Sequence, residues 1–141
     1  MSAETKPVQT LDQRRAAHAW HRIISQATTS ENGKRKYGEG AKEYAQEARK
    51  MPVRIITSGL GQALAFILAK AKDKKPNLRR LHQDLSDWVL KNCPMRVPKP
   101  GNLMESILEG DADFLRWATE ETLAYLQWLN RFAEAEGLTE D

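Results

Sequence analysis

GLGQALAFILAKAKDKK, residues 59–75, decides the fold class. Leu60, Ala63, Leu64, Ile67, Leu68 and Ala71 recur at helical spacing around Phe66, so one flank of a helix can pack. The run then passes through Lys70, Lys72, Lys74 and Lys75 until Pro76 stops it. A helix with a packed flank and a cationic end can meet an anion. Just ahead, Gly59 can take a left-handed cap conformation that closes a short preceding helix, whose first turn suits Pro52.

The same periodicity extends outward in both directions. Residues 8 to about 28 read as a first helix on Ala16, Trp20, Ile23 and Ala27, and 39 to 51 as a second on Ala41, Tyr44, Ala48 and Met51. Between them Asn32-Gly33 signals a turn, followed by Lys34, Arg35 and Lys36 in an exposed basic loop. Beyond Pro76, Asn77 is placed to cap a helix on Leu78, Leu81, Leu85, Trp88 and Val89. Pro94, Pro98 and Pro100 make a stiff loop, and 102 to about 109 a short helix. A long last helix, 111–136, carries the stripe Leu115, Ala118, Thr122, Tyr125, Leu126, Leu129 and Ala133, started by Asp111 and Asp113 and ended by Gly137. No segment alternates as a half-buried strand does. The expected fold is all-α, a single-domain bundle of about six or seven helices over residues 8–137. A disordered tail is expected at 1–7 and a short one at 138–141.

A chain of 141 residues buries enough surface to fold as one domain without disulfides or metal. The lone Cys93 excludes a disulfide framework, and no apolar run approaches the ~20 residues that cross a bilayer. The beginning of the chain lacks a signal-peptide pattern, so the expected setting is cytoplasmic, with no membrane partner. The net charge of +3 hides a segregation. Residues 14–100 hold 19 Lys plus Arg against 7 Asp plus Glu, whereas 101–141 hold 2 against 10. A basic body calls for a polyanion, and an acidic end for a surface that avoids it.

Chemistry finds little purchase. His18 and His21 share a helix face, but no Asp, Glu or Cys follows at ligand spacing, so they read as surface or interface histidines, and His82 as a surface residue. Cys93 has no evident base partner, and Glu120 and Glu121 point in different directions. Gly59-Leu60-Gly61 lacks the Lys-Ser/Thr ending and preceding strand of a phosphate loop. The chain therefore reads as no enzyme, with no cofactor and no metal. Trp20, Trp88 and Trp128 sit on or beside apolar stripes and read as core. Trp117 lies off the stripe and is the candidate to stack on a base.

Five stretches carry a family likeness: QRRAAHAW (13–20), MPVRIITSGLGQALAFI (51–67), LSDWV (85–89), TEETL (119–123) and WLNRFA (128–133). Together they resemble, in order and across nearly the whole chain, the small α-helical subunit of the type III-B CRISPR effector, the Cmr complex. The resemblance implies a non-catalytic scaffold that contacts RNA. In that family, copies stack along the effector and their basic surface lines the groove for guide and target RNA. The implied partners are other Cmr subunits, guide RNA, target RNA and further copies of the chain. Clustering of charge nominates the RNA contacts: Arg14, Arg15, Arg22, Lys34, Arg35, Lys36, Lys42, Lys70, Lys72, Lys74, Lys75, Arg79 and Arg80. Two nearby readings are the small subunit of a type III-A complex and an independent helical nucleic-acid-binding module. The latter needs a recognition helix with Arg, Asn or Gln at its exposed start, and none is evident. A hydrolase with a site split across helices would have to show turnover as a purified chain.

Overall fold

The computed structural model describes residues 8–30, 32–73 and 75–139. Among them are six helices: α1 (Leu11–Ile24), α2 (Glu39–Ser58), α3 (Leu60–Asp73), α4 (Asn77–Lys91), α5 (Leu103–Glu109) and α6 (Ala112–Ala135). The all-α expectation holds. At ~1.5 Å per residue α6 is about 36 Å long, and it packs against α1, α2 and α4 as the spine of the bundle. Its core-facing residues are Phe114, Ala118, Thr122, Tyr125, Leu126, Leu129 and Ala133. Leu115, expected in that stripe, is exposed, and Phe114, whose amide donates to Asp111 at 2.9 Å, is buried in its place. The chain leaves α6 through Gly137 at φ 75°, and Leu138 turns back into the core, its amide donating to the Ala133 carbonyl.

α1 is shorter than the periodicity suggested. Thr10 and Gln13 cap it reciprocally, each side chain accepting from the other's backbone amide. After Ser25 the chain turns, and Thr28–Thr29 (β1) pairs antiparallel with Arg35–Lys36 (β2). This two-residue ladder is a strand that alternation could not reveal. Turn chemistry makes it, with Gly33 at φ 70°.

The largest correction is at Pro52. The chain does not break there: α2 runs unbroken from Glu39 to Ser58 with Pro52 inside it. A mid-helix proline removes one ladder hydrogen bond and leaves the carbonyl four residues earlier without a donor. That carbonyl belongs to Ala48, and the Asn130 amide of α6 donates to it at 3.1 Å. Met51 and Ile55, both buried, hold the helix in place on either side. The break expected at Gly59 is real: the residue has φ 90°, ψ 158°, and its amide closes α2 on the Ile55 carbonyl.

Asn77 is not a cap either. Pro76 occupies that position and no side chain caps α4, because the Asn77 amide lies against the backbone of Gly40, leaving no room for even a methyl group there. His82 is buried rather than on the surface. Its Nε2 accepts the Met104 amide at 3.2 Å, while Ser86 Oγ accepts that of Leu103 and Asn102 that of Glu105. The first turn of α5 thus finds acceptors for three otherwise orphaned donors. No helix among the described residues is long and apolar enough to cross a membrane.

Candidate nucleic-acid interface

The nominated cations fall into two groups. Arg15, Arg22, Arg35, Lys70 and Arg80 are bound to carboxylates of this same chain. Arg14, Lys34, Lys36, Lys42, Lys72 and Arg79 are exposed and Lys75 is half-buried, and none of these is paired with a carboxylate among the described residues. Lys74 lies outside the described residues.

Four of the first group build a polar seam along α1, and Lys70 instead ties α3 to the buried Glu47 of α2. Arg15 grips the buried Glu121 of α6 through Nε at 2.6 Å and Nη2 at 2.8 Å. Glu121 also accepts the Trp88 indole at 2.9 Å, and Asp12 joins Arg15 to the Trp128 indole. One turn on, His18 lies between Asp87 Oδ2 at 2.8 Å and the Tyr125 hydroxyl at 2.7 Å. Since a carboxylate can only accept, Nε2 carries the proton and donates to Asp87, and Nδ1 accepts from Tyr125. Arg22 spans Asp87 at 2.9 Å and the buried Asp84 at 3.6 Å, with Arg80 on the other oxygen of Asp84 at 3.7 Å. Tyr44 donates to Asp84 at 2.6 Å. Only Ala19 and Ile23 of α1 are fully buried, so polar bonds carry much of its docking. Arg35 and Tyr37 both donate to Glu136, with the Arg35 guanidinium over the Trp20 ring. These five cations first serve the fold.

Charge states follow from these contacts. Burial pushes the Asp84 carboxyl up, partly offset by Tyr44, Arg22 and Arg80. The His18 hydrogen bond holds Asp87 below its usual range. Burial holds the His18 imidazole below its ordinary value despite Asp87, and burial does the same at His82, whose acceptor role requires a neutral ring. A group with a folded pKa below its unfolded value of ~6.5 leaves the unfolded chain with more bound protons. The stability it contributes is complete above about pH 6.5 and is lost as the pH falls through that value toward the folded one. Melting curves at pH 7.5 and 5 therefore differ, with the lower melting temperature in acid. His18→Gln, which keeps a donor and an acceptor but cannot titrate, shrinks the difference. An undiminished difference in that variant would place the titration elsewhere.

The aromatic residues are mostly spent on packing. Trp88 stacks with Tyr125, Trp20 meets Phe132 edge-on, and Trp128 stacks on Phe132. Trp117, the nominated base-stacker, is half-buried against Phe114 and the core. Among the described residues, no group of three or more His, Cys, Asp or Glu side chains could hold a metal ion.

Sequence reading missed a basic face on α2. Arg49, Lys50 and Arg54 line one groove of about 630 Å³ with Gln46 and Val53. A helix break placed at Pro52 assigned Arg54 to a different helix from Arg49 and Lys50. The continuous helix puts Lys50 and Arg54 one turn apart on the same flank.

The CRISPR-associated protein family Cas_Cmr5 matches residues 11–136. The "CRISPR system Cmr subunit Cmr5" of Thermus thermophilus is 37% identical over 99 residues, covering 70% of this chain and 78% of the relative. The X-ray structure of a CRISPR-associated Cmr5 family protein from the same organism superposes with a TM-score of 0.67 at 28% identity, over 90% of this chain and 97% of the other.

Proposed function

The chain belongs to the CRISPR-associated Cmr5 family, the small subunit of the type III-B Cmr complex, and on that premise we propose that it is a non-catalytic scaffold that holds RNA in the assembled complex. The observation that carries the RNA role is the set of exposed cations, unpaired among the described residues, from Arg14 through Lys34, Lys36, Lys42 and Lys72 to Arg79, spread over five elements and the β1–β2 turn. Such a surface neutralises phosphates without reading bases, which suits a complex in which pairing with the guide reads the sequence. The acidic last forty residues, with Leu108 and Leu115 exposed, suit protein rather than nucleic acid. Copies meeting basic body to acidic end make a heterologous contact that propagates as an open filament. The working compartment is the cytoplasm.

The test is target-RNA binding by the reconstituted Cmr complex with this chain present, omitted, or carrying Lys34→Gln, Lys36→Gln, Lys42→Gln, Lys72→Gln and Arg79→Gln together. Omission and the multiple variant each weaken binding about tenfold or more near 0.1 M salt, alike for unrelated guides, and flatten the salt dependence by ~0.7–0.9 for each phosphate no longer neutralised. Circular dichroism of the variant matches wild type. Unchanged affinity on omission sinks the RNA role.

A further inference from the structure

Glu47 is an unusual place for a carboxylate: it is buried, on α2, and gives both oxygens to cations that still reach the surface. Arg54 Nη1 donates to Oε1 at 2.9 Å, and Lys70 of α3 lies at 2.9 and 3.3 Å from its two oxygens. Both cations also hold the Phe66 ring, Arg54 at 3.9 Å from its centroid and Lys70 at 4.9 Å. Their side chains remain 24% and 33% exposed, and Phe66 is 42% exposed. Burial alone would raise the Glu47 carboxyl, but Lys70 and Arg54 outweigh it and hold the group below its usual range, so it stays charged. The cluster is one anion under two fixed cations, beside the groove of Arg49, Lys50 and Val53. Its net charge is positive.

We propose that this α2–α3 face, with Arg54 and Lys70 fixed over Phe66 and flanked by Arg49 and Lys50, is an RNA strand-binding site that grips consecutive phosphates and gives the riboses and bases an apolar floor. The site rests on the RNA-holding role proposed above and locates a contact outside the surface that role was drawn from. Three observations favour RNA. Three of the five groove-lining residues are cationic and none is acidic. The Arg54 guanidinium is anchored by Glu47 and by the Phe66 ring while its side chain stays 24% exposed, so it reaches the surface with little rotamer entropy left to lose. The Phe66 ring adjoins the groove through Arg54 and stays 42% exposed, so an apolar surface for a ribose or base edge lies beside the cations that take the phosphates. A protein partner is the rival occupant, because Val53 and Ile56 are 67% and 74% exposed. The charges lining the groove itself speak against that, since the centre of a protein interface is depleted of them.

Glu47 is a positioning residue, and its variant separates fixed geometry from bulk charge. Glu47→Gln makes the surface more positive, so charge alone predicts tighter RNA binding, whereas loss of the anchor predicts weaker binding. The experiment uses the full chain and a labelled uridine oligomer of about 30 nucleotides, with affinity followed across a salt series. The expected result is wild-type binding that falls about tenfold or more in Arg49→Gln/Lys50→Gln/Arg54→Gln, with a slope lower by ~0.7 for each phosphate released from its cation. Glu47→Gln is expected to bind less tightly than wild type, with a melting curve that confirms the fold. Unchanged affinity in the triple variant, while the Lys34/Lys36/Lys42/Lys72/Arg79 variant loses binding, overturns this site and leaves the RNA role standing. Wild-type chain that does not hold the oligomer at low salt overturns this site, while the RNA role is decided by omission from the complex. Unchanged RNA affinity together with a Val53→Asp/Ile56→Asp chain that no longer enters the Cmr complex assigns the face to protein and overturns the proposal.

Discussion

Glu121→Ala lowers the unfolding free energy by about 3–5 kcal/mol, a drop of roughly 10–20 °C in melting temperature for a chain of this size. The substitution removes one side chain but strands two donors. Arg15, whose side chain is 12% exposed, loses its bidentate partner and keeps only the exposed Asp12 to balance its charge. The Trp88 indole, in the core, loses its acceptor. Neither can turn to water without pulling α1 off α6. Replacing both ends, Arg15→Met with Glu121→Leu, recovers the part of the loss that the stranded Arg15 charge causes, while the Trp88 indole stays without its acceptor. Thermal melts of the single and double variants test this. A single variant within about 1 kcal/mol of wild type means the seam is solvated and α1 is held by other contacts.

Gly59→Val comes next. At φ 90°, ψ 158° the residue occupies a region that is essentially reserved for glycine, and a β-branched side chain there costs about 1–3 kcal/mol. Nothing lies within 4 Å of where a Cβ would stand, so the loss is torsional, not a clash. Gly38 supplies the control: it too faces open space, but at φ −84° any residue is at ease, so Gly38→Val forfeits only the N-cap preference for glycine, about 0.5–1 kcal/mol. Equal melting curves for the two variants would mean α2 and α3 adapt freely at their junction.

What could be read from the chain, and what could not, divides by the range of the interaction. The stripes of α3, α4 and, apart from Leu115, α6, with the Asp111 start and the turn at Gly59, are local, each encoded within a few residues, and are present in the fold. The continuation of α2 through Pro52 is not local, because it depends on an amide 82 positions from the carbonyl it satisfies. The same holds for the cations. Arg15 looks like any surface arginine until Glu121, 106 residues away, is beside it, and Lys70 until Glu47 is. Charge clustering therefore nominated structural and free cations alike, and it passed over Arg49, Lys50 and Arg54. His82 is a miss that local pattern could have prevented: it lies four residues after Leu78 and seven before Val89, on the edge of the stripe that buries both.

The tie between Pro52 and Asn130 makes the two positions historically contingent on one another. While proline stands at 52, residue 130 must carry a donor, and its loss leaves the Ala48 carbonyl without a hydrogen-bond partner. Once any other residue stands at 52, its own amide closes the ladder and 130 is released. Change can therefore pass through this pair in one order at little loss and in the other only across a deficit. The effect of a substitution at 130 cannot be transferred to a relative without first knowing which residue it carries at 52.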